Sequence, residues 1–590
     1  MKRRSREKKE LSFWLVIVSI FLLSFFVLVP EIVMGGGTGI LGNDGFFHLN
    51  RFTEAAMQIK TGHFSYFQQF YTFNYSGKIV NSFYGPLNAY LQGAILLMVH
   101  FKTLVWWSIS LWLTNVFGLS SMYYLQRTLK VKQVYALVLG LVFITTGAMV
   151  APVVAGMYAV GYAFIPLIVA ASLRLVRDNQ RPIVFWELTV ALTLLAQTHM
   201  LSLVLGLIAY ALSFIIFLVR SIWQKINWKI WLFPLVKAVG LVLLLNFNIY
   251  GGYFEVKHSN PQMVMPFQSD ILYWPSKVSL LGLNFANISV FIALVIALSV
   301  LIILWRAKKV PAWVWLALGM TALFSAIATG ILNIAVLPEA TIFQFFGRFM
   351  ALAFPFALVL VGYALSCQTT KRKWFTVVTI LCTLLSVVMY MGVTANKSLN
   401  VQRNLQNPAD KGIFTSIEAR AKVYQDASLL TGNQLSSVIT APISETIDYL
   451  PNHTTITNPV KMFKNESIFY NTFYADIIKM QNFTGSKLQR KVTNDGLMMT
   501  WQSANAQKTG LPVIKYGHTV LKLNGKKLTN KDIQLSVIGG VSVKAKEGGN
   551  VLTVRYQPSS WFIVGSLLQV IGSLLVLIII IVKKRKKKAE

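Results

Sequence analysis

Residues 561–582, WFIVGSLLQVIGSLLVLIIIIV, run for 22 positions without a charge and are followed at once by KKRKKK (Lys583–Lys588). An apolar stretch of this length spans the roughly 30 Å hydrocarbon core of a bilayer as a helix. A basic cluster at its end marks the cytoplasmic side. The same pairing recurs throughout the chain: Lys2–Lys9, Arg127–Lys132, Arg174–Arg181, Arg220–Lys229, Arg306–Lys309 and Lys371–Lys373 all flank apolar runs. This is the sequence of a polytopic α-helical membrane protein.

Composition agrees. Of 590 residues, 55% are hydrophobic and only 13% charged, about half the share that a soluble surface requires. The net charge of +34 could suggest a nucleic-acid partner. Its clusters sit at span ends, without interleaved basic and aromatic surface, which argues against one. The only cysteines, Cys367 and Cys382, both lie in apolar runs, so no disulfide framework supports the polar regions. That usage fits a bacterial envelope protein.

With the basic loops as cytoplasmic markers, crossings are expected near 11–33, 104–126, 133–151, 156–176, 183–199, 200–219, 230–249, 286–305, 311–330, 346–366, 374–394 and 561–582. That makes about 12 transmembrane helices in a multi-pass cell-membrane protein with both termini cytoplasmic. The run from Leu11 to Pro30 lacks a small-residue cleavage site and reads as an uncleaved first span, here 1–33. Residues 84–101 are apolar enough to cross, but counting them would invert the later basic loops. They are expected to lie at, or dip into, the outer leaflet.

Two polar regions then face outward. The first loop, 34–103 with its juxtamembrane helices, is long and aromatic, as functional loops are. It is followed by the main bundle, 104–394. The second region, 395–560, carries a net +10. It begins in a helical pattern at 413–430 and ends in strands. HTVLKLNGKKL has the Asn524-Gly525 pair of a type I′ hairpin, and Val541–Lys546 and Val551–Tyr556 follow it. An extracytoplasmic α+β domain before the last helix (561–590) is expected.

The densest polar cluster is Gly42-Asn43-Asp44-Gly45-Phe46-Phe47-His48-Leu49-Asn50-Arg51. If a helix starts here, Asp44 stands at its N-terminal end, and His48 and Arg51 follow along one face. Asp44 can be a helix cap or a general base, with His48 and Arg51 holding an anionic substrate. Other polar groups at outward span ends are His199 in LLAQTHML, Glu339, Gln344 and Arg348 in LPEATIFQFFGRF, and Glu255 and Asp270. Ionisable groups bordering a span are functional candidates by default. Arg348 can instead snorkel to headgroups, and His199 can be a hydrogen-bonded bundle residue. Phe343, Phe345, Phe346 and Phe349 are expected to face lipid. Nucleotide-loop, CxxC, HExxH and GxSxG motifs are absent. No cofactor or metal set is indicated.

GNDGFFHLNRF, KTGHFSYF and NSFYGPLNAYL together resemble the opening of the YfhO-type bacterial membrane proteins, also catalogued as 6-pyruvoyl-tetrahydropterin-synthase-related. The resemblance continues through YAFIPLIVAASLRL, LLAQTHML, FQFFGRF, IDYLP and the C-terminal NGKKL and VSVKAKEGGNVLTVRYQPS. It implies a GT-C glycosyltransferase-like fold and a lipid-linked (polyprenyl-phosphate) sugar donor. The acceptor would be a cell-surface polymer or glycolipid, such as a polysaccharide, reached beside membrane lipid on the outer face; the charge of 395–560, taken by itself, suits an anionic acceptor such as a teichoic acid. It further implies Asp44 as catalytic base, with His48 in the same catalytic site. Arg51, His199, Gln344 and Arg348 would then be the groups on the substrate or its phosphate. Where the family pattern has a glutamate before the proline of its flPl segment, this chain has Tyr158. A flippase for a lipid-linked precursor, or a non-catalytic scaffold on the same fold, is the alternative.

Overall fold

The computed structural model describes residues 10–34, 45–146, 149, 159–264, 299, 310–343, 345–366, 374–406, 448–453 and 488–589. The expected crossing near 286–305 lies outside these residues except for Ser299, and so does the helical stretch 413–430. The rest is mostly helical. Among the described residues four helices are long and apolar enough to cross a bilayer: Val160–Arg177, Met200–Trp223, Phe346–Ser366 and Ser560–Lys583. Shorter apolar helices include Phe13–Phe26, Gln133–Ile144 and Ala312–Ala328. The chain is a multi-pass membrane protein.

The bundle core forms where helices that are apolar all round meet one another. Leu119, Ile168, Leu205, Phe324, Leu352 and Phe356 are wholly buried there. Small residues set the closest approaches. A Cβ on Gly93 would stand 2.8 Å from the Phe52 carbonyl, so Pro86–Met98 lies hard against Gly45–Thr61. At 13 residues Pro86–Met98 is roughly 20 Å long, too short to cross.

Three expectations need correction. Phe343, Phe346 and Phe349 do not face lipid, and only Phe345 is exposed. The 3₁₀ turn Phe346–Phe349 rolls these rings into the bundle, where Phe349 stacks on Phe324 at 6.0 Å. The span expected at 230–249 breaks at Asn246 and bends by 60° between Lys229–Leu245 and Phe247–Ser259. The Asn246 amide turns back onto the Val242 carbonyl at 2.7 Å and ends the first helix. The helix that begins at Trp374 runs on to Gln406, past the expected end at 394.

The break at Asn246 frees backbone groups that lipid cannot satisfy. Gln569 of the last helix supplies partners: Nε2 donates to the Leu245 carbonyl at 2.8 Å, and Oε1 accepts the Asn248 N–H at 2.7 Å. Gln197 Nε2 donates to Leu245 O and Asn248 Oδ1 from the other side. Gly565 and Gly572 flank Gln569 on the last helix and leave room for Phe247 and Leu244.

The C-terminal strands form two antiparallel sheets, ordered β1-β2-β8-β4-β5 and β3-β7-β6. Their ranges are β1 Gln489–Thr493, β2 Gly496–Ser503, β3 Lys508–Ile514, β4 Thr519–Leu523, β5 Lys526–Lys527, β6 Ile533–Leu535, β7 Gly540–Lys544 and β8 Gly548–Tyr556. The expected hairpin is present: β4 and β5 are joined through Asn524 (φ 52°) and Gly525 (φ 85°), both left-handed as a type I′ turn requires. Leu497, Val513, Leu521 and Val554 fill the space between the sheets.

The two polar regions, read separately from sequence, pack into one body. Phe70 of the first loop is buried in the core between the sheets, and Phe67 stacks on Tyr556 at 4.3 Å. Ile514 N–H donates to Ser76 O at 2.8 Å, and the Tyr516 hydroxyl accepts from Ile79 N–H at 3.2 Å.

Candidate functional site

The helix Gly45–Thr61 places His48 and Arg51 one turn apart on a buried face, as their spacing predicts. Arg51 is only 1% exposed. Its guanidinium is held in three directions. Nε donates to Asn81 Oδ1 at 3.0 Å, Nη1 donates to His48 Nδ1 at 2.9 Å, and Nη2 donates to the Tyr84 carbonyl. The Tyr84 ring lies beneath the cation at 4.8 Å. A guanidinium has five N–H bonds, so one remains on each terminal nitrogen.

Because a guanidinium only donates, His48 Nδ1 is the acceptor and the neutral ring carries its proton on Nε2. Burial, then the charge of Arg51, then His199, hold His48 well below the ordinary histidine range. Burial pushes Arg51 down to about 10, against the pull of the Tyr84 and Tyr449 hydroxyls. It remains a cation at neutral pH. Among the described residues no carboxylate is paired with it. An unpaired buried cation costs several kcal/mol, on the order of what an arriving anion returns.

Backbone packing brings the distant histidine to this point. Gly85 takes φ +63°, and a Cβ there would stand 2.6 Å from the Gln197 carbonyl, so the NSFYGP turn sits directly on the chain leading to His199. His199 begins Met200–Trp223, bonds Ser202 Oγ through Nδ1 at 2.8 Å, and meets the Tyr162 ring edge-on at 6.0 Å. Both Arg51 and Arg348 are near enough to act on it electrostatically. Arg348 Nη1 donates to Phe343 O at 3.2 Å and its cation lies 5.3 Å from the Phe345 ring. His48, Arg51, His199 and Arg348, spread over 300 positions of chain, therefore share one locality.

Asp44, Gln344, Asp270 and Tyr158 lie outside the described residues, and Glu339 is described in its backbone only. Glu255 stands elsewhere. It accepts from His518 Nδ1 and Ser559 N–H, each at 2.8 Å, and from the Ser559 hydroxyl, which ties Phe247–Ser259 to the β-unit and the last helix. Among the described residues no group of three or more His, Cys, Asp or Glu could hold a metal ion.

Sequence reasoning missed four participants. Asn81 and Tyr84 hold Arg51 directly. Tyr449 of IDYLP stacks on Phe83 at 4.8 Å and meets Tyr84 edge-on at 5.7 Å. Glu54, one turn after Arg51, is wholly buried and accepts the backbone N–H groups of Phe70, Tyr71 and Thr72, the Thr72 hydroxyl and the Gln58 amide. A lone acid in the apolar face of a short helix was the available signal for Glu54. Nothing local marked the others, whose roles arise from long-range packing.

Among the solved structures similar to this chain are two membrane enzymes. The crystal structure of ArnT from Cupriavidus metallidurans bound to undecaprenyl phosphate matches at 14% identity and a TM-score of 0.40, over 80% of this chain and 81% of that one. The Archaeoglobus fulgidus oligosaccharyltransferase, in complex with Zn and sulfate, matches at 14% identity and a TM-score of 0.35, over 70% and 57%. No family model and no curated protein matches.

Proposed function

We propose that this chain is a membrane glycosyltransferase of the GT-C kind. It transfers a sugar from a polyprenyl-phosphate donor to a cell-surface polymer or glycolipid at the outer face of the membrane. The observation that carries the proposal is Arg51: a buried guanidinium with no carboxylate partner among the described residues, braced on three sides, with His199 close to it and Arg348 close to His199. Such a group is built to receive an anion. The resemblance of GNDGFFHLNRF to the YfhO-type opening supports the same assignment.

In the proposed reaction Asp44 takes the proton of the acceptor hydroxyl, whose oxygen attacks the sugar C1 from the face opposite the phosphate. The C1–O bond to phosphate breaks, and the electron pair leaves on polyprenyl phosphate. Arg51 and Arg348 stabilise the charge that develops there. His48 holds the Arg51 plane rather than exchanging a proton, since its Nδ1 is already occupied by the guanidinium. The net +10 of residues 395–560 suits an anionic acceptor such as a teichoic acid.

The test compares surface glycans of a deletion strain complemented with wild type, Asp44→Asn or Arg51→Lys. One sugar should vanish in the deletion, return with wild type, and stay at least about 100-fold reduced with either variant, the scale of losing one positioned group. Full restoration by both variants at normal expression would overturn the proposal. So would passage of a lipid-linked precursor across proteoliposomes with no glycosidic bond formed.

A further inference from the structure

A cleft lies at the other end of the bundle from the Arg51 site. About 840 Å³ in volume, it opens between the start of Phe185–Thr198, the helix Lys229–Leu245 and the final turns of the last helix. Its walls are apolar, with Phe233, Leu244, Val576 and Ile579 among them. Three lysines line it too, Lys229, Lys237 and Lys583, and among the described residues no carboxylate does. The nearest acid in sequence, Glu187, is already bound to Arg174 and to the Tyr124 hydroxyl. The floor at Gly240 is open, since a Cβ there would meet nothing within 4 Å.

The depth of each lysine follows from contacts already described. Leu245 and Gln569 are level with each other and close to His199, because Gln569 and Gln197 both bond Leu245 O. Lys229 is 16 helical residues from Leu245, roughly 24 Å away, and Lys583 is 14 from Gln569, roughly 21 Å. The two ammonium groups therefore share the membrane face opposite the Arg51 site. Lys237 lies roughly 12 Å inward from Lys229, a depth at which an ionisable side chain is costly and by default functional.

We propose that this cleft binds one anionic phospholipid of the leaflet opposite the Arg51 site. Its phosphate lies between Lys229 and Lys583, Lys237 reaches up along the groove to it, and an acyl chain lies over Gly240 against the apolar wall. The polyprenyl donor is not this ligand, because its phosphate must reach the Arg51 end. The apolar cleft supplies area, and the three cations without an acid supply the preference for negative charge.

Native mass spectrometry of the full chain, released from nanodiscs of equal phosphatidylglycerol and phosphatidylcholine, tests the site. Wild type should retain one phosphatidylglycerol at least tenfold over phosphatidylcholine. Lys229→Gln/Lys237→Gln/Lys583→Gln should bring that ratio close to one. Gly240→Leu fills the groove while leaving every lysine, and should also abolish the preference. A wild-type ratio near one would overturn the proposal. Preference retained by Gly240→Leu would overturn it as well, assigning the attraction to the KKRKKK tail alone. Thermal melting of each variant in phosphatidylcholine alone, within a few degrees of wild type, establishes that folded protein is compared.

Discussion

Glu54→Ala is expected to be among the most destabilising single changes near the site. The Glu54 carboxylate accepts five hydrogen bonds at 2.8–3.1 Å, three of them from backbone N–H groups at Phe70, Tyr71 and Thr72. Those three donors cannot rotate away, and Phe70 and Thr72 are wholly buried. Each buried donor left without an acceptor costs about 1–3 kcal/mol, so three give about 3–9 kcal/mol. Water entering the space vacated by the carboxylate offsets part of this, which leaves about 3–5 kcal/mol. Glu54→Gln should cost less, about 1–3 kcal/mol. Its one oxygen can still serve Tyr71, Thr72 N–H and Thr72 Oγ1, which share Oε2, while its amide faces the Phe70 N–H. Melting of the detergent-solubilised protein by tryptophan emission should fall in the order wild type, Gln, Ala. Trypsin at Lys60, where the helix meets the anchored loop, should cut the Ala variant fastest. An Ala variant that melts within about 1 °C of wild type and resists trypsin equally would refute the anchor.

Further outcomes follow from the same contacts. His48 is neutral in the fold, with a proton affinity held below its unfolded value near 6.5. Stability it contributes is thus fully present above pH 6.5 and is lost as pH falls toward the depressed value, by at most about 1.4 kcal/mol per unit; His48→Asn should flatten that acid limb of the melting profile. Glu255→Gln loses the charge that receives His518 and Ser559, and should loosen the β-unit from the last helix by about 1–3 kcal/mol, measured as faster hydrogen exchange at 517–519 and 557–560. Phe67→Ala, which removes the stack on Tyr556, should cost about 3–5 kcal/mol in the same melting assay.

Much of the fold was legible because bilayer physics leaves few choices. Residues 561–582 and 200–219 could be little but spans, and NG at 524–525 little but a hairpin turn. The i, i+3 spacing of His48 and Arg51 likewise put them on one face of a helix. What could not be read is where long-range packing decides. Phe346 and Phe349 look lipid-facing by composition, yet a 3₁₀ turn aims them inward. Gln68 and Tyr516 carry no local signal, yet they join the first loop to strands more than 400 residues later. The partners of Arg51 were hidden for the same reason: Asn81 and Tyr84 come from a different element, 30 and 33 residues on.

The break at Asn246 connects the last helix to the chemistry proposed at the other end of the same contacts. Gln569 and Gln197 meet on Leu245 O and Asn248 Oδ1, and His199 is two residues beyond Gln197. The NSFYGP turn that holds Arg51 rests on the Gln197 backbone. The last helix thus fixes the height of the strand of contacts on which His199 and Arg51 depend. Gln569→Leu keeps the helix apolar and about the same size but strips the acceptor from Asn248 N–H and a donor from Leu245 O. A loss of about 1–3 kcal/mol is expected. Gln569→Glu retains the acceptor for Asn248 N–H but cannot donate to Leu245 O unless it is protonated. If docking positions the site, Gln569→Leu should raise the KM for the lipid donor more than it lowers expression. If the helix is only an anchor, expression should fall while KM stays at the wild-type value.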